Sequence, residues 1–300
     1  MSRWSSLAAL SLGALFGCTE VKDGFSPVLG DDVTSAEKER FARRLYLDLT
    51  GLPATDAETK AVVGRLDKDG NTAKTRDALV KDLVLAPELA RLYVTETENA
   101  AFSGQSMEYA YTFLCEITRG TDEACLSCKD PDACACACPA LTALGAERKA
   151  LRDMVEDFAA GGETTTSDID HAFARSQPFV FNGTTPDGIV TQVFQAFLGR
   201  PAEKDEQTNA RFMFVGIALP GAPAGLLFHR HGATYTDLLD IVFGSEVYRD
   251  AMVGRVFQRY LGRRPSAAEL RVFSASLDPE RPDLRGVVRS VVSSAEYFRQ

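Results

Sequence analysis

Along most of the chain, apolar residues recur every three or four positions, the spacing that gathers them on one face of an α-helix. Thr34-Ser35-Ala36-Glu37 has the form of a capping box, and Phe41, Leu45 and Leu49 follow on one face until Gly51 and Pro53 end the run. Thr55 to Glu58 repeats the box and opens a helix that turns Ala61, Val62 and Leu66 inward. The same period predicts helices over 73–85, 87–101, 107–118, 140–160, 186–198, 203–218, 235–243, 246–261, 267–277 and 284–293. Tyr109, Tyr111 and Phe113 alternate with smaller residues and are expected to pack between helices. No run of alternating β-branched residues stands out, so the expected fold class is all-α.

One phrase recurs three times: Leu45-Tyr46-Leu47-Asp48-Leu49-Thr50-Gly51-Leu52-Pro53, Phe194-Gln195-Ala196-Phe197-Leu198-Gly199-Arg200-Pro201 and Phe257-Gln258-Arg259-Tyr260-Leu261-Gly262-Arg263-Arg264-Pro265. Each reads as an apolar helix end, a left-handed glycine and a proline that bars continuation. A second phrase follows in each unit: Leu83-Val84 before Pro87-Glu88, Ile241-Val242 before Ser245-Glu246, and Val291-Val292 before Ala295-Glu296. There the glutamate falls in the first turn of the next helix, where the helix dipole favours it. Arg200 and Arg263, just past a helix end, are expected to sit near its exposed carbonyls. The proline-to-glutamate spacings are 35, 45 and 31 residues, too unequal for a regular solenoid. They favour separate bundles or a pseudo-repeat domain: irregular helical bundles from about three pseudo-repeats.

The N-terminus reads as an address. Arg3 precedes an apolar run from Leu7 to Phe16, too short to span a bilayer, that ends at Gly17 before Cys18. Leu15-Phe16-Gly17-Cys18 resembles the bacterial lipobox, which implies cleavage before Cys18 and a lipid on its sulfur. Thr19 and Glu20 follow, without the aspartate typical of inner-membrane retention, so the resemblance points to the outer membrane. An acyl anchor then replaces a spanning helix. The chain divides into a signal (1–17), a tether (18–33), a first helical module (34–114), a Cys-rich insertion (115–138), connecting helices (139–185), a second module (186–250) and a third (251–300).

Of the 300 residues, 45% are hydrophobic and 25% charged, ordinary values for a folded protein. Loss of residues 1–17 removes Arg3 and no acid, leaving 32 bases against 42 acids, a net charge of −10. That balance argues against a nucleic-acid partner, which needs a basic face. The only tryptophan, Trp4, leaves with the signal.

Six of the seven cysteines, Cys115, Cys125, Cys128, Cys134, Cys136 and Cys138, fall within 24 residues that carry Asp122, Glu123, Asp130 and Asp132 but few large apolar side chains. Outside the cytoplasm such a segment is ordered by three disulfides. Fifteen pairings are possible; bonds among Cys134, Cys136 and Cys138 close very small rings, so bonds reaching Cys115, Cys125 or Cys128 are favoured. The alternative is a thiolate metal site built from Cys125, Cys128, Cys134 and Cys136, which export disfavours. Long, acidic and dispensable for the core, the insertion is expected to face a partner.

Phe41-Ala42-Arg43-Arg44-Leu45-Tyr46-Leu47-Asp48-Leu49-Thr50-Gly51-Leu52-Pro53-Ala54-Thr55, with Leu83 to Pro87 downstream, resembles the start of an uncharacterised helical domain of large planctomycete surface proteins. The likeness covers about residues 38–93. The later units are similar to short helical repeats of secreted bacterial proteins. Both imply an extracytoplasmic setting and a helical fold, and neither implies a reaction. The cytochrome-c-like module that accompanies the planctomycete domain has no counterpart, because Cys125-Leu126-Ser127-Cys128 is followed by Lys129 where covalent haem attachment needs histidine.

Other chemistry is sparse. Asp67-Lys68-Asp69-Gly70-Asn71 fails as a calcium loop, with glycine at the fourth position and Ala78 at the twelfth. His229 and His231 share a side only in an extended strand, and His171 reads as a helix-surface residue beside its own acids. No nucleophile elbow, phosphate loop, dinucleotide fingerprint or zinc-protease helix occurs. The expectation is a non-enzymatic outer-membrane lipoprotein without a cofactor, an interaction or structural component of an envelope assembly. The alternatives are a redox or metal accessory acting through the cysteine cluster and an accessory to polysaccharide hydrolysis.

Overall fold

The computed structural model describes residues 33–216 and 225–300. The lipobox, Cys18 and most of the tether lie outside the described residues. Four helices come first among the described residues: α1 (Ser35–Thr50), α2 (Asp56–Asp69), α3 (Ala73–Val84) and α4 (Pro87–Ala101). α5 (Met107–Thr121) leads into the cysteine insertion, and α6 (Pro139–Ala159) leaves it. Next come α7 (Thr166–Arg175), α8 (Gln177–Gly183), α9 (Pro186–Leu198) and α10 (Lys204–Val215). A hairpin of β1 (Gly225–Leu227) and β2 (Arg230–Gly232) precedes α11 (Tyr235–Phe243), α12 (Glu246–Leu261), α13 (Ala267–Ser276), α14 (Arg285–Val292) and α15 (Ala295–Arg299). The fold is all-α with a disulfide-rich insertion, and the hairpin is the only sheet among the described residues. No described helix is long and apolar enough to cross a membrane.

The repeated phrases build the same corner three times. α1, α9 and α12 each end on a glycine in the left-handed region, Gly51 at φ +72°, Gly199 at +65° and Gly262 at +66°. At Gly199 and Gly262 a Cβ would meet nothing within 4 Å, so the backbone angle, not space, demands glycine there. In the second and third units the second corner is closed by serine, the hydroxyls of Ser245 and Ser294 accepting the backbone N–H of Tyr248 and Tyr297 at 3.0 and 3.1 Å, whereas in the first α4 follows Ala86 with Pro87 at its start. Ser176 does the same for Phe179, so the α7–α8 junction is a further copy that the phrases did not disclose. Helix α12 belongs to two units at once, closing the second and opening the third.

The modules share one continuous apolar core and are not separate bundles. The third unit folds back onto the first: Phe41 packs against the rings of Tyr297 and Phe298, and Tyr297 donates to Asp48 at 2.8 Å. Arg76, 2% exposed, crosses the same seam and donates to the Ser293 carbonyl at 2.7 Å. A bidentate Arg289–Asp77 pair ties α14 to α3 beside it. These contacts tie the first unit to the third.

Candidate functional site

Three disulfides order the insertion: Cys115–Cys134, Cys125–Cys138 and Cys128–Cys136, with Cα separations of 5.2, 5.4 and 5.9 Å. Each late cysteine reaches an early one, as ring size favours. All four alternative metal ligands are spent in these bonds, and no described group of three or more His, Cys, Asp or Glu side chains is placed to hold a metal. The acids serve the backbone: Asp122 and Asp132 cap two short 3-10 turns through Ala124 and Cys134 N–H groups at 2.9 and 3.0 Å.

The insertion is not dispensable for the core. Five of its six cysteines and Ala133 are buried, sealed between α5 and α6. Gly145 of α6 leaves so little room that a Cβ would stand 2.7 Å from the Cys134 carbonyl oxygen. Sulfur supplies here the apolar bulk that the sequence lacks. Glu108 fastens α5 to α6 by accepting from both Arg148 and Arg152, and Tyr111 donates to Glu147 at 2.5 Å.

Tyr111 is fully buried, but Tyr109 and Phe113 are 54% and 47% exposed. On a helix, positions two apart point to opposite sides, so the alternating aromatics cannot all face inward. The two outer rings stack at a 6.4 Å centroid separation, and Phe181 of α8, also exposed, meets Phe113 edge-on at 6.4 Å. Leu126, at the tip of the insertion, is 61% exposed.

The corner arginines do more than approach carbonyls. Arg200 grips Glu206 at 2.6 and 2.7 Å while lying over the Phe194 ring. Arg263 repeats the arrangement with Glu269 at 2.9 and 2.7 Å over Phe257, and adds Glu296 of α15. Each guanidinium therefore locks the glutamate that caps the following helix. Arg263 holds the Glu269 carboxyl down at about 2, against the opposing effect of burial.

Between α4 and α12 lies a cavity of about 800 Å³. Its apolar wall includes Leu89, Ala90, Phe158, Leu270 and Val288. Five arginines also line it: Arg200, Arg255, Arg259, Arg264 and Arg285. Beside it, fully buried Asp170 of α7 accepts from Tyr93 at 2.6 Å, Thr97 at 3.3 Å, Tyr248 at 2.8 Å and Arg255 at 3.1 Å, joining three helices. Burial raises both tyrosines well above their ordinary range, reinforced by the Asp170 charge, so they remain donors. Sequence reasoning missed Asp170; its signal was an acid on the Ile169–Phe173 face, where an apolar residue belongs.

The histidines are not brought together. His229 sits in the hairpin turn at φ +63° and His231 lies in β2, both exposed. His171 of α7 is partly buried against Phe243, and the acid nearest its Nε2 is Asp240 of α11 at 3.3 Å, not one of its own helix. Burial lowers its pKa, with Asp240 acting in the opposite sense.

No family model, no curated protein and no solved structure matches the chain.

Proposed function

We propose that the chain is a lipid-anchored protein of the outer membrane that serves as a structural or protein-interaction component of a cell-envelope assembly, with no reaction of its own. The observation that carries this reading is the exposed Tyr109–Phe113–Phe181 cluster beside a segment fixed by three disulfides. Large aromatic side chains on a rigid support offer contact area at low entropic cost, the usual composition of an interface centre. The lipobox-like sequence ending at Cys18 and the resemblance over residues 38–93 support a place outside the cytoplasm for this surface.

A photocrosslinking residue at position 113 should trap one discrete envelope protein, whereas the same residue at exposed Val272 should not. Phe113→Ser should lose the partner without changing the melting temperature, because that ring is half in solvent. Equal adducts from both positions, or none from either, would overturn the reading. Labelling with a clickable fatty acid should mark the wild type and leave Cys18→Ala unmarked; an unlabelled wild type rejects the anchor.

A further inference from the structure

The cavity between α4 and α12 has a chemistry that the aromatic face does not use. Its volume, about 800 Å³, falls within the roughly 300–1,000 Å³ of small-molecule pockets. In a chain with 33 bases and 42 acids, a random lining would carry more acid than base. Here five arginines and two acids, Glu96 and Asp250, form the lining, and Arg200 and Arg285 are paired with Glu206 and Asp283 beyond it. Glu96 is taken by Arg259, and Asp250 accepts from Ser274 at 2.5 Å. Arg264 is exposed, and its guanidinium has no partner among the described residues. Arg255 keeps a buried Nε–H without an acceptor while its Nη2 holds Asp170. An unpartnered guanidinium and an unsatisfied buried N–H beside an apolar space suit an occupant with an anionic end and a hydrocarbon body.

Gly254 supports the same conclusion. It lies in the middle of α12, lines the cavity, and has nothing within 4 Å of where a Cβ would stand. Glycine inside a helix is unfavourable relative to alanine, and neither backbone angle nor crowding requires it here. What its missing side chain preserves is open space. Ala90 and Ala251 line the same cavity with nothing larger than a methyl group.

We propose that this cavity binds a single-chain anionic amphiphile, with the hydrocarbon along Leu89, Ala90, Phe158 and Val288 and the head group at Arg255 and Arg264. The head is a carboxylate or a phosphate monoester, both of which suit a planar guanidinium. The inference stands apart from the interaction reading, since the aromatic cluster does not line the cavity.

Calorimetric titration of the purified chain with octanoate, decanoate, dodecanoate and dodecyl phosphate tests it, with dodecanol as the uncharged control. One anion should bind per chain, and affinity in the carboxylate series should rise roughly fourfold per methylene while the tail is being buried. Dodecanol should bind at least about tenfold more weakly than the better anion, for want of a charged hydrogen bond. Tighter binding of dodecyl phosphate assigns a phosphate head, and tighter binding of dodecanoate a carboxylate. Gly254→Leu should abolish binding of every probe with its circular dichroism intact. Arg264→Gln, a surface change that leaves folding untouched, should weaken the anions roughly fivefold and spare dodecanol. No saturable binding of either anion, anion binding indifferent to Gly254→Leu, or dodecanol as tight as the anions would overturn the proposal.

Discussion

The corner at Gly262–Glu269 and the knot at Cys115–Cys138 both turn the chain sharply, by unlike physics. At the corner, all stabilising groups but Glu296 lie within a few residues: the left-handed glycine, the serine cap, and the arginine that clasps a glutamate six positions on. Such a device can be copied wherever a helix must end, and its glycine and arginine–glutamate clasp recur around Gly199, with Glu203 in place of the serine. The knot has no comparable local logic. It lacks bulk of its own, and its order depends on bonds that span 8, 13 and 19 residues. The difference teaches why one is repeated and the other stands alone.

Removing a covalent bond should show the contrast most strongly. Cys115→Ala with Cys134→Ala opens a loop of 19 residues, at a cost of about 3 kcal/mol in urea unfolding. Trypsin should then cut at Arg119 or Lys129 while the repeat corners stay protected. An unchanged urea midpoint would place the order of the knot in packing instead of sulfur.

Acid should separate the two regions in the opposite sense. Glu269, with 4% of its side chain exposed, titrates at about 2 in the folded state against 4.5 for a free glutamate. A carboxyl depressed by folding stabilises fully above its unfolded pKa and loses that contribution as pH falls through the folded one. The corner should therefore lose up to about 3 kcal/mol between roughly pH 4.5 and 2, a loss that Glu269→Gln abolishes. Disulfides do not titrate in this window, so the knot should resist proteolysis throughout it. A wild-type acid transition no steeper than that of Glu269→Gln would reject the assignment.

Within the repeats, Arg263→Gln should cost about 2 kcal/mol, because it strands a nearly buried carboxylate and a second glutamate. Arg200→Gln, with a single and more exposed partner, should cost about 1 kcal/mol by the same measurement. Equal losses would mean that Glu296 adds nothing. A loss of similar size is expected at Gly145→Ala: about 1 kcal/mol, from pressing a methyl onto the Cys134 carbonyl. A neutral outcome would show that the insertion can lift from α6.

The same contrast governs what could be read from residues alone. The corners were legible because glycine, proline and capping-box spacing act locally, and the helices beginning at Thr34 and Thr55 carry the caps their sequences announce. Helix α7 was hidden by the polar run Thr164–Ser167, although Thr165 and Asp168 form a capping box there. The hairpin escaped because its turn places Phe228 and His229 at positive φ, where Asn-Gly is the familiar signal. Ring size narrowed the cysteine pairing without selecting it. The cavity was illegible for a plainer reason: it is set by the separation of α4 and α12, which no local spacing encodes. Its only traces are small residues such as Gly254 and Ala90 at positions where a packed core would take larger ones.

The disulfide connectivity also constrains the order of events during synthesis. Cys115–Cys134 crosses both other bonds, and no bond joins cysteines that are neighbours along the chain. A polypeptide delivered from its N-terminus presents Cys115, Cys125 and Cys128 to the oxidant before any native partner has emerged. The first bonds made under those conditions are non-native, and reaching the final set then requires thiolate exchange through mixed disulfides. The yield of correctly knotted protein thus depends on the compartment's capacity to reshuffle disulfides as well as to form them.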